Sequence, residues 1–109
     1  MAYDKGLAAR VRNALASEPG LTEKAMFGGL GFLLHGNMAC GLHDDSLMVR
    51  VGPERYADAI ARPYVRVFDM TGRPMKGWVV VSPDGLGDPE DLKRWVDEGV
   101  SFAKTLPEK

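Results

Sequence analysis

Leu30-Gly31-Phe32-Leu33-Leu34-His35-Gly36-Asn37-Met38-Ala39-Cys40-Gly41-Leu42-His43-Asp44-Asp45-Ser46-Leu47-Met48-Val49-Arg50-Val51 is the stretch that decides the fold. It divides into three six-residue runs, Leu30–His35, Met38–His43 and Ser46–Val51, separated by Gly36-Asn37 and Asp44-Asp45. Both dipeptides suit two-residue hairpin turns, because Gly, Asn and Asp tolerate the positive φ angles such turns demand. A three-stranded antiparallel meander follows, with a further short piece around Ala25–Phe27. On these turns Leu33 faces Cys40 and Val49, and Leu34 faces Ala39 and Arg50. One face then carries Leu33, Met38, Cys40, Leu42, Leu47, Val49 and Val51. The other carries Leu30, Phe32, Leu34, Ala39 and Met48 beside His43 and Arg50, too apolar for a face left in water. Either a helix of the same chain or a second copy in a homodimer is expected to cover it.

Working outward, Leu7, Val11, Ala14 and Leu15 recur at helical spacing within Ala2–Ser17, and Pro19-Gly20 ends the pattern. Gly52-Pro53-Glu54 opens a second helix that runs to Ala61, since proline at the first helical position loses no hydrogen bond. Tyr64–Met70 and Trp78–Ser82 are rich in β-branched and aromatic residues and read as strands. Asp88-Pro89-Glu90-Asp91 starts a third helix with Leu92, Trp95, Val96, Val100 and Ala103 along one stripe. The expected architecture is α+β and two-layered, a mainly antiparallel sheet with helices in the order α-β-β-β-α-β-β-α.

With 109 residues, 45% hydrophobic and 27% charged, the chain is expected to form a single domain over residues 1–109. A net charge of −1 gives no global attraction to nucleic acid or anionic lipid. The distribution is uneven. Residues 46–76 hold Arg50, Arg55, Arg62, Arg66, Arg73 and Lys76 against Glu54, Asp58 and Asp69, whereas residues 77–109 hold seven acidic and four basic side chains. Cys40 is the one cysteine, which points to a reducing compartment; no signal peptide and no run of about 18 apolar residues is present, so a cytoplasmic location is expected.

Catalytic and ligand motifs fail on their chemistry. Phe27-Gly28-Gly29-Leu30-Gly31 lacks the spacing of a dinucleotide loop and precedes a strand. Gly72-Arg73-Pro74-Met75-Lys76-Gly77 has the glycine separation of a P-loop, but Trp78 stands where lysine should be. His35, Cys40 and His43 suggest a metal site, yet His43 points to the opposite face from the other two. Cys40 among Leu33, Leu42 and Val49 predicts an inert core thiol, and no serine lies in a nucleophile elbow. No enzyme activity, cofactor or metal is expected. The remaining candidates are Arg50, Arg73, Lys76 and Trp78, cations next to an aromatic, suited to an acidic partner or an anionic ligand.

Met26-Phe27-Gly28-Gly29-Leu30-Gly31-Phe32, Gly36-Asn37-Met38-Ala39-Cys40, Leu47-Met48-Val49-Arg50-Val51 and Thr71-Gly72-Arg73-Pro74-Met75-Lys76-Gly77-Trp78 together resemble the N-terminal domain of the TfoX/Sxy family. The resemblance covers nearly the whole chain. It implies the same α-β-β-β-α-β-β-α order, and a bacterial, competence-regulator-like domain standing alone without the C-terminal domain of full-length members. The expected function is therefore a non-enzymatic, regulatory interaction module, working in transcription regulation through a protein partner or a homodimer across the sheet. A small-molecule or nucleotide (anion) binding domain is the alternative. Direct DNA contact ranks third, and no membrane association is expected.

Overall fold

The computed structural model describes residues 3–26, 29–68 and 76–107. The elements are α1 (Lys5–Ala14), β1 (Leu21–Met26), β2 (Gly29–Leu34), β3 (Asn37–His43), β4 (Ser46–Arg50), α2 (Tyr56–Ile60), β5 (Val65–Val67), β6 (Trp78–Val81) and α3 (Pro89–Ala103). The strands form one six-stranded sheet in the order β1-β2-β3-β4-β6-β5, every pair antiparallel. The α+β class and the mainly antiparallel sheet agree with the sequence reading. The short piece expected near Ala25 is a full edge strand, β1, which makes the meander four-stranded.

The long helices begin where side chains cap them. Asp4 accepts from the Leu7 amide at 3.0 Å and Asp88 from the Glu90 amide at 2.8 Å, each satisfying a donor with no partner inside its helix. α2 departs from expectation, because residues 53–55 form a turn and the helix starts only at Tyr56. The Gly77 carbonyl accepts from the amides of both Val51 and Gly52, at 2.8 and 3.0 Å, which ties the segment before Pro53 to the end of the sheet. β5 is likewise shorter than Tyr64–Met70, and Asp69 and Met70 lie outside the described residues.

The expected register of β2 on β3 is wrong, and the turn explains why. Leu34 pairs with Asn37, so the two loop residues are His35 and Gly36, both at positive φ (51° and 85°) as a type I′ turn requires. A bulge then sets Phe32 opposite Cys40 and Leu33 opposite Met38, leaving Ala39 unpaired. Leu30, Phe32 and Leu34 consequently join Cys40, Leu42, Leu47 and Val49 on one face instead of opposing them. The Asp44-Asp45 turn is as read, with His43 paired to Ser46.

That inner face is the core. Leu7, Val11 and Leu15 of α1, Ala59 of α2 and Leu92, Trp95, Val96 and Val100 of α3 pack with it in one buried cluster. All three helices thus lie on the same side of the sheet. A second, smaller cluster on the outer side holds Met48, Phe68 and Val80, with Met38 and Trp78 partly buried against it.

The two layers approach closely at Gly99, where a Cβ would stand 2.3 Å from the Ala39 carbonyl oxygen at the bulge. Backbone packs on backbone there, so no side chain can yield. Gly99→Ala should lower stability by about 2 kcal/mol through overpacking, despite alanine's advantage of roughly 1 kcal/mol in helix propensity. Urea denaturation checks this; an unchanged or higher midpoint would contradict the close approach.

Candidate functional site: the outer sheet face

Pairing across all six strands aligns one row of outward residues, Lys24, Gly31, Gly41, Met48, Val80 and Arg66. Lys24 and Arg66, both exposed, stand at the two ends of this row on the edge strands. Between them the row has two buried glycines and is apolar beyond. Met38 and Met48 lean over Gly41, where a Cβ would meet the Met38 methyl at 2.6 Å and the Met48 methyl at 3.1 Å.

Arg50 and Trp78 are cross-strand partners at the end of β4 and the start of β6. The Arg50 guanidinium lies 5.7 Å from the Trp78 ring centroid and 5.3 Å from that of Phe102 on α3. Both distances are within cation–π range. Phe68 meets Trp78 edge-on, with centroids 5.8 Å apart and planes at 82°. Lys76, exposed in the turn before β6, is two residues from Trp78. Three of the four candidates therefore share one end of the sheet, while Arg73 falls outside the described residues.

The charge pattern of this face is one-sided. The outward strand positions supply Lys24, Arg50 and Arg66, with His43 near the far end, and no outward strand position among the described residues is Asp or Glu. Nor, among the described residues, does a carboxylate pair with Arg50, Arg66 or Lys76. Glu23 of β1 belongs to the other side, where Arg12 of α1 holds it at 2.7 and 2.8 Å and keeps its pKa below the ordinary value through that hydrogen bond.

The remaining basic residues of the middle third are engaged elsewhere. Arg62 binds both oxygens of Glu98 on α3, reaches Asp58 at 2.8 Å and lies 4.7 Å from the Trp95 ring centroid. The hydrogen bond to Glu98 raises its pKa above the arginine norm, so Arg62 is a permanently charged clamp between α2 and α3. Arg55 makes a longer contact with the same carboxylate at 3.4 Å. Neither arginine extends the outer face. Cys40 is buried in the core, and desolvation pushes its thiol up to about 12, which leaves it protonated and unreactive at neutral pH. His43 lies across the sheet from Cys40, and His35 is in the turn before β3.

The sequence singled out Arg50, Lys76 and Trp78 but missed Lys24, Arg66 and Phe102. Lys24 and Arg66 become legible only once the register is known. Phe102 of α3 carries no sequence signal of its contact with Arg50.

The family model described as TfoX N-terminal domain matches residues 13–103. No curated protein and no solved structure matches the chain. The match spans the sheet, α2 and all of α3, hence both the core and the outer face.

Arg62→Met should cost about 1–2 kcal/mol, because Glu98, with its side chain 10% exposed, would lose its principal partner. Lys93→Met, which breaks an exposed i,i+4 pair with Asp97, should cost no more than about 0.5 kcal/mol. Parallel denaturation curves decide; equal losses would contradict the clamp.

Proposed function

This chain belongs to the TfoX N-terminal domain family, and from that premise we propose that it is a non-enzymatic regulatory module whose outer sheet face binds a protein partner with an acidic surface. The observation that carries this reading is the sheet face opposite the described helices, with Lys24, Arg50 and Arg66 and no outward carboxylate among the described strand residues. In a chain of net charge −1, the outward strand positions among the described residues carry three cations and no acid. Complementary potential accelerates encounter and selects partners. Trp78, half-buried and held by Phe68 and Arg50, supplies the kind of rigid aromatic anchor that concentrates binding energy.

The same charge pattern favours an acidic heterologous partner over a second copy, since two such faces brought together would set cations against cations. It also ranks protein above nucleic acid. Arg55 and Arg62, the basic residues of α2 and its flanks, are committed to Glu98, and the Trp78 ring is engaged with Phe68 and Arg50 instead of standing free to stack on a base. A non-enzymatic role is supported by the buried, protonated state of Cys40 and by the commitment of Glu98 to Arg62. No helix of the described residues is long and apolar enough to cross a membrane; action in the cytoplasm, as a regulator in a family associated with competence, completes the proposal.

The test is co-purification of the tagged chain with its partner from its native cells, comparing wild type with a Lys24→Glu, Arg66→Glu double variant. Both positions are exposed, so the fold should change by no more than about 0.5 kcal/mol. The expected result is a partner that dissociates as salt rises and is lost in the variant, with the isolated chain monomeric by sedimentation. A partner retained by the variant, a complex destroyed by nuclease, or a face-to-face dimer would overturn the reading.

A further inference from the structure

Away from the sheet face, a recess of about 410 Å³ opens where the turn after β4 meets the last turns of α3. That volume is in the range of small-molecule sites. Val51, Pro53 and Phe102 give it an apolar wall, Ser101 a hydroxyl, and Arg55 and Glu98 two charges. The charges are unequal. Glu98 is largely buried, and both its oxygens are already bound by Arg62. The Arg55 side chain is 67% exposed and touches Glu98 only at 3.4 Å, long for a charge-assisted hydrogen bond. The carboxylate is spent and the guanidinium is not. Glu54, exposed on the rim, is a solvated charge.

We infer that this recess binds a small ring-bearing anion, its carboxylate or phosphate held by Arg55 and Ser101 and its ring set against Pro53 and Phe102. Lys24 and Arg66 do not line the recess, so a variant at those two positions tests the partner face without altering the recess; the two sites adjoin where Phe102 meets Arg50.

The experiment titrates the isotope-labelled full chain with benzoate, phenyl phosphate and uncharged benzamide, following backbone amides by NMR. Millimolar benzoate or phenyl phosphate should shift Gly52, Arg55, Ser101 and Phe102, with benzamide acting far more weakly. The stronger of the two anions assigns the acid group. Arg55→Gln should weaken binding by roughly tenfold or more, and Ser101→Trp, which fills the recess from an exposed helix position, should abolish it in a chain whose spectrum stays dispersed. Lys24→Glu, Arg66→Glu should leave the titration unchanged. Absence of shifts with both anions, equal shifts with benzamide, or full affinity in Arg55→Gln would overturn the proposal.

Discussion

The rest of the structure depends on one contact, the seating of Gly99 of α3 on the Ala39 carbonyl at the β3 bulge. It brings helix backbone against sheet backbone and fixes which face α3 covers. From that placement the other helices follow. α1 shares the core with α3 through Leu7, Val11 and Leu15, and α2 is joined to α3 by the Arg62–Glu98 pair and the Trp95 ring. The buried Asn37 side chain, by donating to the Pro107 carbonyl at 2.8 Å, holds the chain beyond α3 against the start of the same strand. With every helix of the described residues drawn to one side, the opposite face of the sheet carries none of them.

That asymmetry gives the outer face its character. Met48, Val80 and Phe68 form a buried cluster there, so the face carries its own small apolar centre. Cations border it at Lys24, Arg50 and Arg66. Charges spaced across a sheet gain little from one another in water and are screened over about 8–10 Å at physiological salt; their collective effect is on what approaches. Arg50 has a further role, because its guanidinium contacts an aromatic from each layer, Trp78 of the sheet and Phe102 of the helix.

Much of this was legible in the sequence, and what was not has a physical cause. The cap at Asp88, the apolar stripe of α3 and the Asp44-Asp45 turn depend on neighbours in the chain, so local reading finds them. The first hairpin defeats it. A non-glycine residue at positive φ is uncommon, and Gly36-Asn37 reads as the turn one residue later than His35-Gly36, where it lies. A one-residue slip moves every side chain of a strand to the other face, and the bulge at Ala39 resets the alternation again at Cys40. Leu30, Phe32 and Leu34 were misassigned for that reason, and with them the apolar face expected to need a cover. At the site, Arg50 beside Trp78 was anticipated from residue chemistry, whereas Lys24 and Arg66 come into one row only through pairings spanning six strands.

On the proposed reading, the cationic sheet face opposite the described helices, and not the helical layer, is where this domain meets its partner. Site-specific photo-crosslinking in native cells tests it most directly, with the reactive side chain placed at Lys24 or Arg66 on the sheet and, as controls, at Ala9 or Lys93 on exposed positions of the helices. The account predicts that both sheet positions capture the same acidic protein and that the helix positions do not. Capture confined to the helix positions would contradict it, as would crosslinks from the sheet positions only to a second copy of the chain.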